Sequence, residues 1–255
     1  MSGTLYLGTS GYSYDEWKHG VFYPEGLKNR EMLSFYSTHL NSVEINYTFR
    51  RLPSEKTIQT WSSLTPESFR FTLKASQRIT HYRRLAGADE DVALFLERAR
   101  PLGERLGAVL FQCPPNLEYD RGLIESFAGY LPPSPRVAME FRHPSWSQAR
   151  ELLAEQGVAW CVAETDDNIP GPDALSWEPF GFLRLRKPEY TDEELSAWAE
   201  RIGPSLAEGR DVYCYFKHED QGASPKMAKR LEAMLSESPG SSAQSVSQPL
   251  PNVGP

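Results

Sequence analysis

Short runs of apolar, β-branched and aromatic residues recur along the chain, and between them the apolar positions fall at helical spacing. The runs predict strands over Leu5–Gly8, Ser42–Asn46, Phe69–Lys74, Ala108–Gln112, Val137–Arg142, Ala159–Ala163, Gly181–Arg186 and Val212–Lys217. The segments between them predict helices over Arg30–Leu40, Ser54–Ser63, Glu90–Leu102, Arg121–Tyr130, Ser147–Gln156, Thr191–Gly203 and Ser224–Ser236. Thr191-Asp192-Glu193-Glu194 supplies a capping hydroxyl and first-turn acids. Ser224-Pro225 places a cap before a first-turn proline.

Strands alternating with helices predict a parallel sheet, because a parallel connection must cross the face of the sheet. Eight such strands in 255 residues fit an α/β fold of the (β/α)8 barrel type, whose usual size is ~250 residues. An open doubly wound sheet is the alternative. Gly8-Thr9-Ser10-Gly11 after the first strand lacks G-x-G-x-x-G spacing, which argues against a dinucleotide site. The barrel is expected to take up residues 1–236. Residues 237–255, rich in Ser, Pro and Gln, bury too little to offset their ordering entropy and are expected to be a disordered tail.

Composition narrows the class without choosing a reaction. A chain 40% hydrophobic and 24% charged is ordinary for a globular protein, and a net charge of −7 excludes a generic nucleic-acid coat while allowing a local basic cleft. Cys113, Cys161 and Cys214 are scattered and form no C-x-x-C pair, so they read as core residues, not a disulfide framework or zinc knuckle. Neither a signal pattern nor a run of membrane length is evident, so the expected location is the cytoplasm, with no membrane partner.

Strand alternation then gathers the charges. Same-parity residues share a face: Glu44 with Asn46; Arg70 and Thr72 with Lys74; Ala138 and Glu140 with Arg142; Arg184 with Arg186; and Gln112 closes Ala108 and Leu110. The outer face of a barrel strand packs on helices and should be apolar, so these polar residues should point inward and converge at the C-terminal rim. Two readings follow: a functional pocket, or an interior ion lattice in which Glu140 neutralises Arg142 or Arg184 and Glu44 neutralises Lys74.

The loop Gly11-Tyr12-Ser13-Tyr14-Asp15-Glu16-Trp17 should cover the same rim. Tyr12, Tyr14 and Trp17 would form either a stacking wall for a ring-bearing ligand or a small loop core. His81 faces either the rim or solvent. Arg184, Arg186, Lys187 and Lys217 end the last two strands, which is where barrels often hold phosphate; the alternative is a solvated basic edge. The cofactor is left open. Glu44, Glu140, His143, Asp166 and His218 are of metal-ligating type and keep a divalent metal in view, yet none has H-x-H or H-E-x-x-H spacing.

Several ordered motifs carry a family resemblance from about Leu5 to Leu235. They are Gly8-Thr9-Ser10-Gly11-Tyr12-Ser13-Tyr14 with Trp17 and Phe22-Tyr23-Pro24; Val43-Glu44-Ile45-Asn46 with Thr48-Phe49 and Arg51-Leu52-Pro53; Trp61 with Thr65-Pro66; Lys74-Ala75; Thr80-His81; Leu110-Phe111-Gln112 with Pro114-Pro115; and Glu140-Phe141-Arg142-His143-Pro144-Ser145-Trp146. Together the chain resembles the domain of unknown function 72, or YecE-like, family. The resemblance implies a (β/α)8 barrel or a close variant, and no reaction. By comparison with the family pattern, Arg50 stands at a usual tyrosine, Arg186-Lys187 at a usual His-Gly, Lys217-His218 at paired asparagines, and Met227 at a later asparagine. The rim at the seventh and eighth strands has therefore gained positive charge.

The expected function is an uncharacterised barrel enzyme of hydrolase or lyase type acting on a polar, anionic or phosphorylated small molecule. Glu140 or Glu44 would serve as general acid or base, and Lys74 would hold and polarise an anionic group or, if burial lowers its pKa, act as a Schiff-base nucleophile. Asn46, Gln112, Arg142, His143, Arg184, Tyr12 and Trp17 would bind substrate. The alternative is a non-catalytic barrel that binds nucleic acid or a protein partner through Tyr12, Tyr14, Trp17, Arg50, Arg83 and Arg84.

Overall fold

The computed structural model describes residues 2–170, 178–217 and 222–237. Its eight strands are β1 (Leu5–Ser10), β2 (Ser42–Ile45), β3 (Arg70–Lys74), β4 (Leu106–Gln112), β5 (Arg136–Glu140), β6 (Val158–Glu164), β7 (Gly181–Leu185) and β8 (Val212–Phe216). They close into a barrel in chain order. β8 returns to pair in parallel with β1 from Leu5↔Val212 to Thr9↔Phe216, so the sheet has no free edge. The α-helices among the described residues are α1 (Met32–Ser37), α2 (Glu55–Ser63), α3 (Asp89–Ala99), α4 (Arg121–Gly129), α5 (Arg150–Glu155), α6 (Asp192–Ala207) and α7 (Ala223–Glu237). This is the expected (β/α)8 architecture. The expected tail lies outside the described residues beyond Glu237, and so does His218.

The helices depart from expectation where proline or local polar bonding intervenes. The segment expected to be one helix over Glu90–Leu102 ends at Ala99 and continues as a 3-10 stretch over Arg100–Arg105, with Pro101 in its first turn. Pro144 opens a second 3-10 stretch, Pro144–Ala149, ahead of α5. In the other direction, α6 runs past Gly203-Pro204 to Ala207. Proline forfeits one helical hydrogen bond there, but Ile202 and Ser205 on either side are buried, and that packing holds the last turn.

Alternation sorts the strands as the sequence pattern implies. Val43, Phe71, Leu73, Val109 and Phe111 join the large core beneath the helices. Ala138, Cys161, Phe182, Tyr213 and Tyr215 form a separate cluster inside the barrel. At the N-terminal end, Tyr6 stacks on Tyr213 at 4.5 Å, and Arg136 pairs with Asp211 at 2.7 Å. Halfway up, the buried Tyr215 hydroxyl bonds to Ser42 Oγ and Thr72 Oγ1, each at 2.7 Å. These side chains fill the barrel from below and give the C-terminal end a closed floor. Gly8 permits the approach of β1 to β2, because an ideal Cβ there would sit 2.0 Å from the Ser42 carbonyl oxygen.

Candidate active site at the barrel mouth

Each charged residue of the mouth is delivered by the end of a strand. Lys74, Gln112 and Glu140 are the last residues of β3, β4 and β5, Glu44 lies one residue before the end of β2, and Arg184 lies one before the end of β7. Register levels them: Ser10 is opposite Glu44, and Gln112 is opposite Glu140. The convergence expected from strand parity is therefore realised.

Arg184 is the hub. Its side chain is only 2% exposed. Nη2 donates to Glu44 Oε1 at 2.8 Å, and Nη1 donates to Glu140 Oε2 and lies 3.4 Å from Gln112 Oε1. One guanidinium thus ties β7 across the barrel to β2 and β5. Glu44 Oε1 also accepts from Ser10 Oγ at 2.8 Å and from Asn46 Nδ2 at 3.0 Å. Glu44 Oε2 and Arg184 Nε have no hydrogen-bond partner among the described residues.

Above this buried triad lies a more open tier. Arg142 Nε donates to Glu140 Oε1 at 3.0 Å, and Arg186 Nη1 stands 3.8 Å from the same oxygen. Burial alone would raise the Glu140 carboxyl. Arg184 and Arg142, with Arg186 behind them, outweigh it and hold the group at about 2. Ionised, and with both oxygens occupied by guanidinium groups, Glu140 has no proton to give at neutral pH. That state does not suit the general-acid role expected of Glu140; in this geometry the carboxylate holds Arg142 and Arg184.

Lys74 is placed differently. Nζ donates to the neutral Gln112 Oε1 at 2.9 Å and lies 4.2 Å from the centre of the Phe49 ring. The carboxylates of the mouth are taken by Arg142, Arg184 and Arg186, and none among the described residues pairs with Lys74. Burial, then the charge of Arg184, pushes the Lys74 ammonium down to about 8, against the opposing pull of Glu44 and Glu140; Arg142 adds to the push. His81 completes this corner. It meets Phe49 edge to face at 4.9 Å, and burial, Lys74 and Arg142 lower its imidazole. It sits in a π-helical turn, Arg78–Tyr82, that brings it back over the end of β3.

Two expected binding residues pack away from the charged cluster, and a third has one ring nitrogen engaged in a local turn. Trp17 is fully buried among Tyr14, Phe22 and Tyr23, so the loop-core reading holds and it offers no stacking face. Tyr12 instead lines a groove of about 590 Å³ against α1 and α2, together with Leu33, Thr57 and Trp61. His143 caps the 3-10 turn that follows β5: its Nδ1 bonds to Ser145 Oγ at 2.7 Å and accepts from Ser145 N. In the set expected to meet nucleic acid, Trp17 is therefore unavailable. Arg83 is paired with Asp91 at 3.2 Å, and Arg84 is bonded to Asn116.

No three His, Cys, Asp or Glu side chains among the described residues are grouped to hold a metal ion. Sequence reasoning missed Ser10 and Phe49 as parts of this site. The link from Ser10 to Glu44 depends on inter-strand register, and Phe49 reaches Lys74 from a 3-10 turn over Tyr47–Phe49.

Residues 6–252 match the profile of the family described as "Protein of unknown function DUF72". The chain belongs to the DUF72 family. This DUF72 protein is 24% identical over 275 residues to the UPF0759 protein YunF of Bacillus subtilis, a match covering 91% of this chain and 94% of that protein. It is 30% identical over 144 residues to the UPF0759 protein YecE of Escherichia coli, covering 56% and 50%. A crystal structure of a DUF72 family protein from Thermotoga maritima superposes with a TM-score of 0.78 at 26% identity, covering 92% of this chain and all of that one. These relatives bear out the family and the barrel and carry no activity with them. No helix of the described DUF72 residues is long and apolar enough to cross a membrane.

Proposed function

We propose that the barrel mouth binds a polar, anionic small molecule and acts on it as an enzyme of hydrolase or lyase type. One observation carries this reading. Arg142, Arg184 and Arg186 converge on only Glu44 and Glu140 among the described residues, Lys74 adds a positive charge that neither carboxylate pairs, and the excess positive charge is on the open side. The buried Glu44–Arg184–Glu140 triad forms a rigid floor. Arg142 and Arg186 supply the fork of donors that suits carboxylate or phosphate. Asn46 and Gln112 orient the ligand, and Lys74 is the reacting group. The free, buried state of Cys113, Cys161 and Cys214 supports placing this work in the cytoplasm.

The test is thermal unfolding of purified protein with inorganic phosphate, citrate, 3-phosphoglycerate and ribose 5-phosphate, together with native mass spectrometry of the protein as isolated. An anion at a hundred times its Kd adds about 2.7 kcal/mol to stability. The expected result is a clear rise in Tm with at least one organic anion, lost in the Arg142→Ala/Arg186→Ala double variant. Absence of both a shift and a co-purifying anion would overturn the proposal.

A further inference from the structure

We propose that Lys74 forms an imine with its substrate, which makes the substrate class an aldehyde or ketone that also carries a carboxylate or phosphate. This rests on the anion-binding reading above and goes beyond it by naming the bond that forms. The geometry comes first. Arg142 and Arg184 are hydrogen-bonded to carboxylates and Arg186 stands 3.8 Å from one, whereas Lys74 Nζ, among the described residues, hydrogen-bonds to an uncharged amide oxygen, Gln112 Oε1. A lysine held by a carboxylate is locked as an ammonium; one held by an amide can lose its proton and keep its place. The Phe49 ring at 4.2 Å shields one side of the amine from water. Arg142 and Arg186 stand nearby to seat the anionic end of the substrate and leave its carbonyl carbon for the amine.

The groups facing Lys74 are Glu44 on β2, His81 in the turn after β3, Gln112 on β4, Glu140 and Arg142 at the end of β5, and Arg184 on β7. Burial first, and then the balance of these charges, leaves the ammonium at about 8, so about a tenth of the molecules carry a neutral amine at pH 7. The step balances without any further reagent. The amine lone pair attacks the carbonyl carbon, and the carbonyl π pair moves to oxygen, which takes one amine proton to give the carbinolamine. The carbon–oxygen bond then breaks, and the oxygen leaves as water with the second amine proton. Nitrogen and carbon are left joined in an imine, which a proton from solvent converts to the electron-withdrawing iminium. That cation draws electrons from the adjacent carbon, as lyase chemistry requires.

The experiment incubates the full chain with glyoxylate, or with glyceraldehyde 3-phosphate, in the presence of sodium cyanoborohydride and maps adducts by peptide mass spectrometry. The expected result is modification of Lys74 at least about tenfold faster at pH 7 than of the exposed Lys28 and Lys56, with a pH midpoint near 8 for Lys74. Lys74→Arg keeps the positive charge; it should lose the adduct and retain the rise in Tm given by citrate or 3-phosphoglycerate. Equal labelling of all three lysines, or a labelling midpoint for Lys74 above pH 10, would overturn the imine. A Tm rise with anions but no Lys74 adduct overturns the imine and leaves the anion site standing. No response to any anion removes both.

Discussion

Arg184 shows what a single residue does in this molecule. Its guanidinium is nearly inaccessible, and the two carboxylates that balance it are equally buried. A buried triad of this kind adds little net stability over apolar packing, but removing one member strands the others. Arg184→Met should therefore cost about 3–5 kcal/mol, measured as a lower urea midpoint with an unchanged slope. Adding Glu44→Gln and Glu140→Gln to that variant should recover most of the loss. If the triple variant were no more stable than Arg184→Met, the loss would come from packing around the long Arg184 side chain and not from stranded charge. At this scale the sequence was informative in one respect: parity placed Glu44, Lys74, Gln112, Glu140 and Arg184 on one inner surface. Partner choice was legible in part. The ion-lattice reading joined Glu140 to Arg142 or Arg184, and both pairs form; it joined Glu44 to Lys74, whereas Glu44 pairs with Arg184, because that pairing is decided by how far each strand is staggered against the next.

Elements were read more reliably than loops, and the reason is physical. A strand or helix advertises itself by a repeat, and all eight strands were legible from theirs. The β1–α1 loop has no repeat, and its many aromatic residues gave equal grounds for a ligand wall and for a loop core. Burial decides for the core. Trp17 meets Tyr14 at 4.8 Å and Phe22 at 5.7 Å, and Trp17 N and Lys18 N donate to backbone oxygens within the same loop. The π-helical turn carrying His81 was equally illegible, since its course depends on Ile79 and Thr80 being buried. Trp17→Ala should then act as a core truncation and cost about 3–5 kcal/mol. Binding of an anion at the mouth, followed by calorimetry below the unfolding range, should change by less than about twofold, an energy below the usual reach of coupling between separate sites. A loss of anion affinity of tenfold or more with the fold intact would return Trp17 to the binding site.

For the whole molecule, the mouth makes stability depend on pH at both ends of the scale, with opposite molecular causes. Glu140 has an ordinary value of 4.5 and is held at about 2 in the folded barrel. Between those values the unfolded chain binds more protons than the native one, so stability falls as pH falls. The contribution from Glu140 is complete above about pH 4.5 and gone below about 2. Lys74 is also lowered, from 10.5 to about 8, but for a lysine this means that folding disfavours its charged form. Again the unfolded chain binds more protons inside the window, so the penalty of burying an ammonium is relieved as pH rises from about 8 towards 10.5. Buried tyrosines such as Tyr215 run the other way from their ordinary value of 10.0 upward, because burial keeps them protonated in the fold. The Lys74 effect is therefore to be read between about pH 8 and 10. Urea unfolding at a series of pH values should show an acid limb that flattens in Glu140→Gln, while Lys74→Met should flatten only the gentle rise above pH 8. If Glu140→Gln kept the acid limb of the parent, the carboxylates responsible would lie elsewhere in the barrel. If Lys74→Met kept the alkaline rise, Lys74 would be an ordinary surface cation, and its suitability as a neutral nucleophile would fall with it.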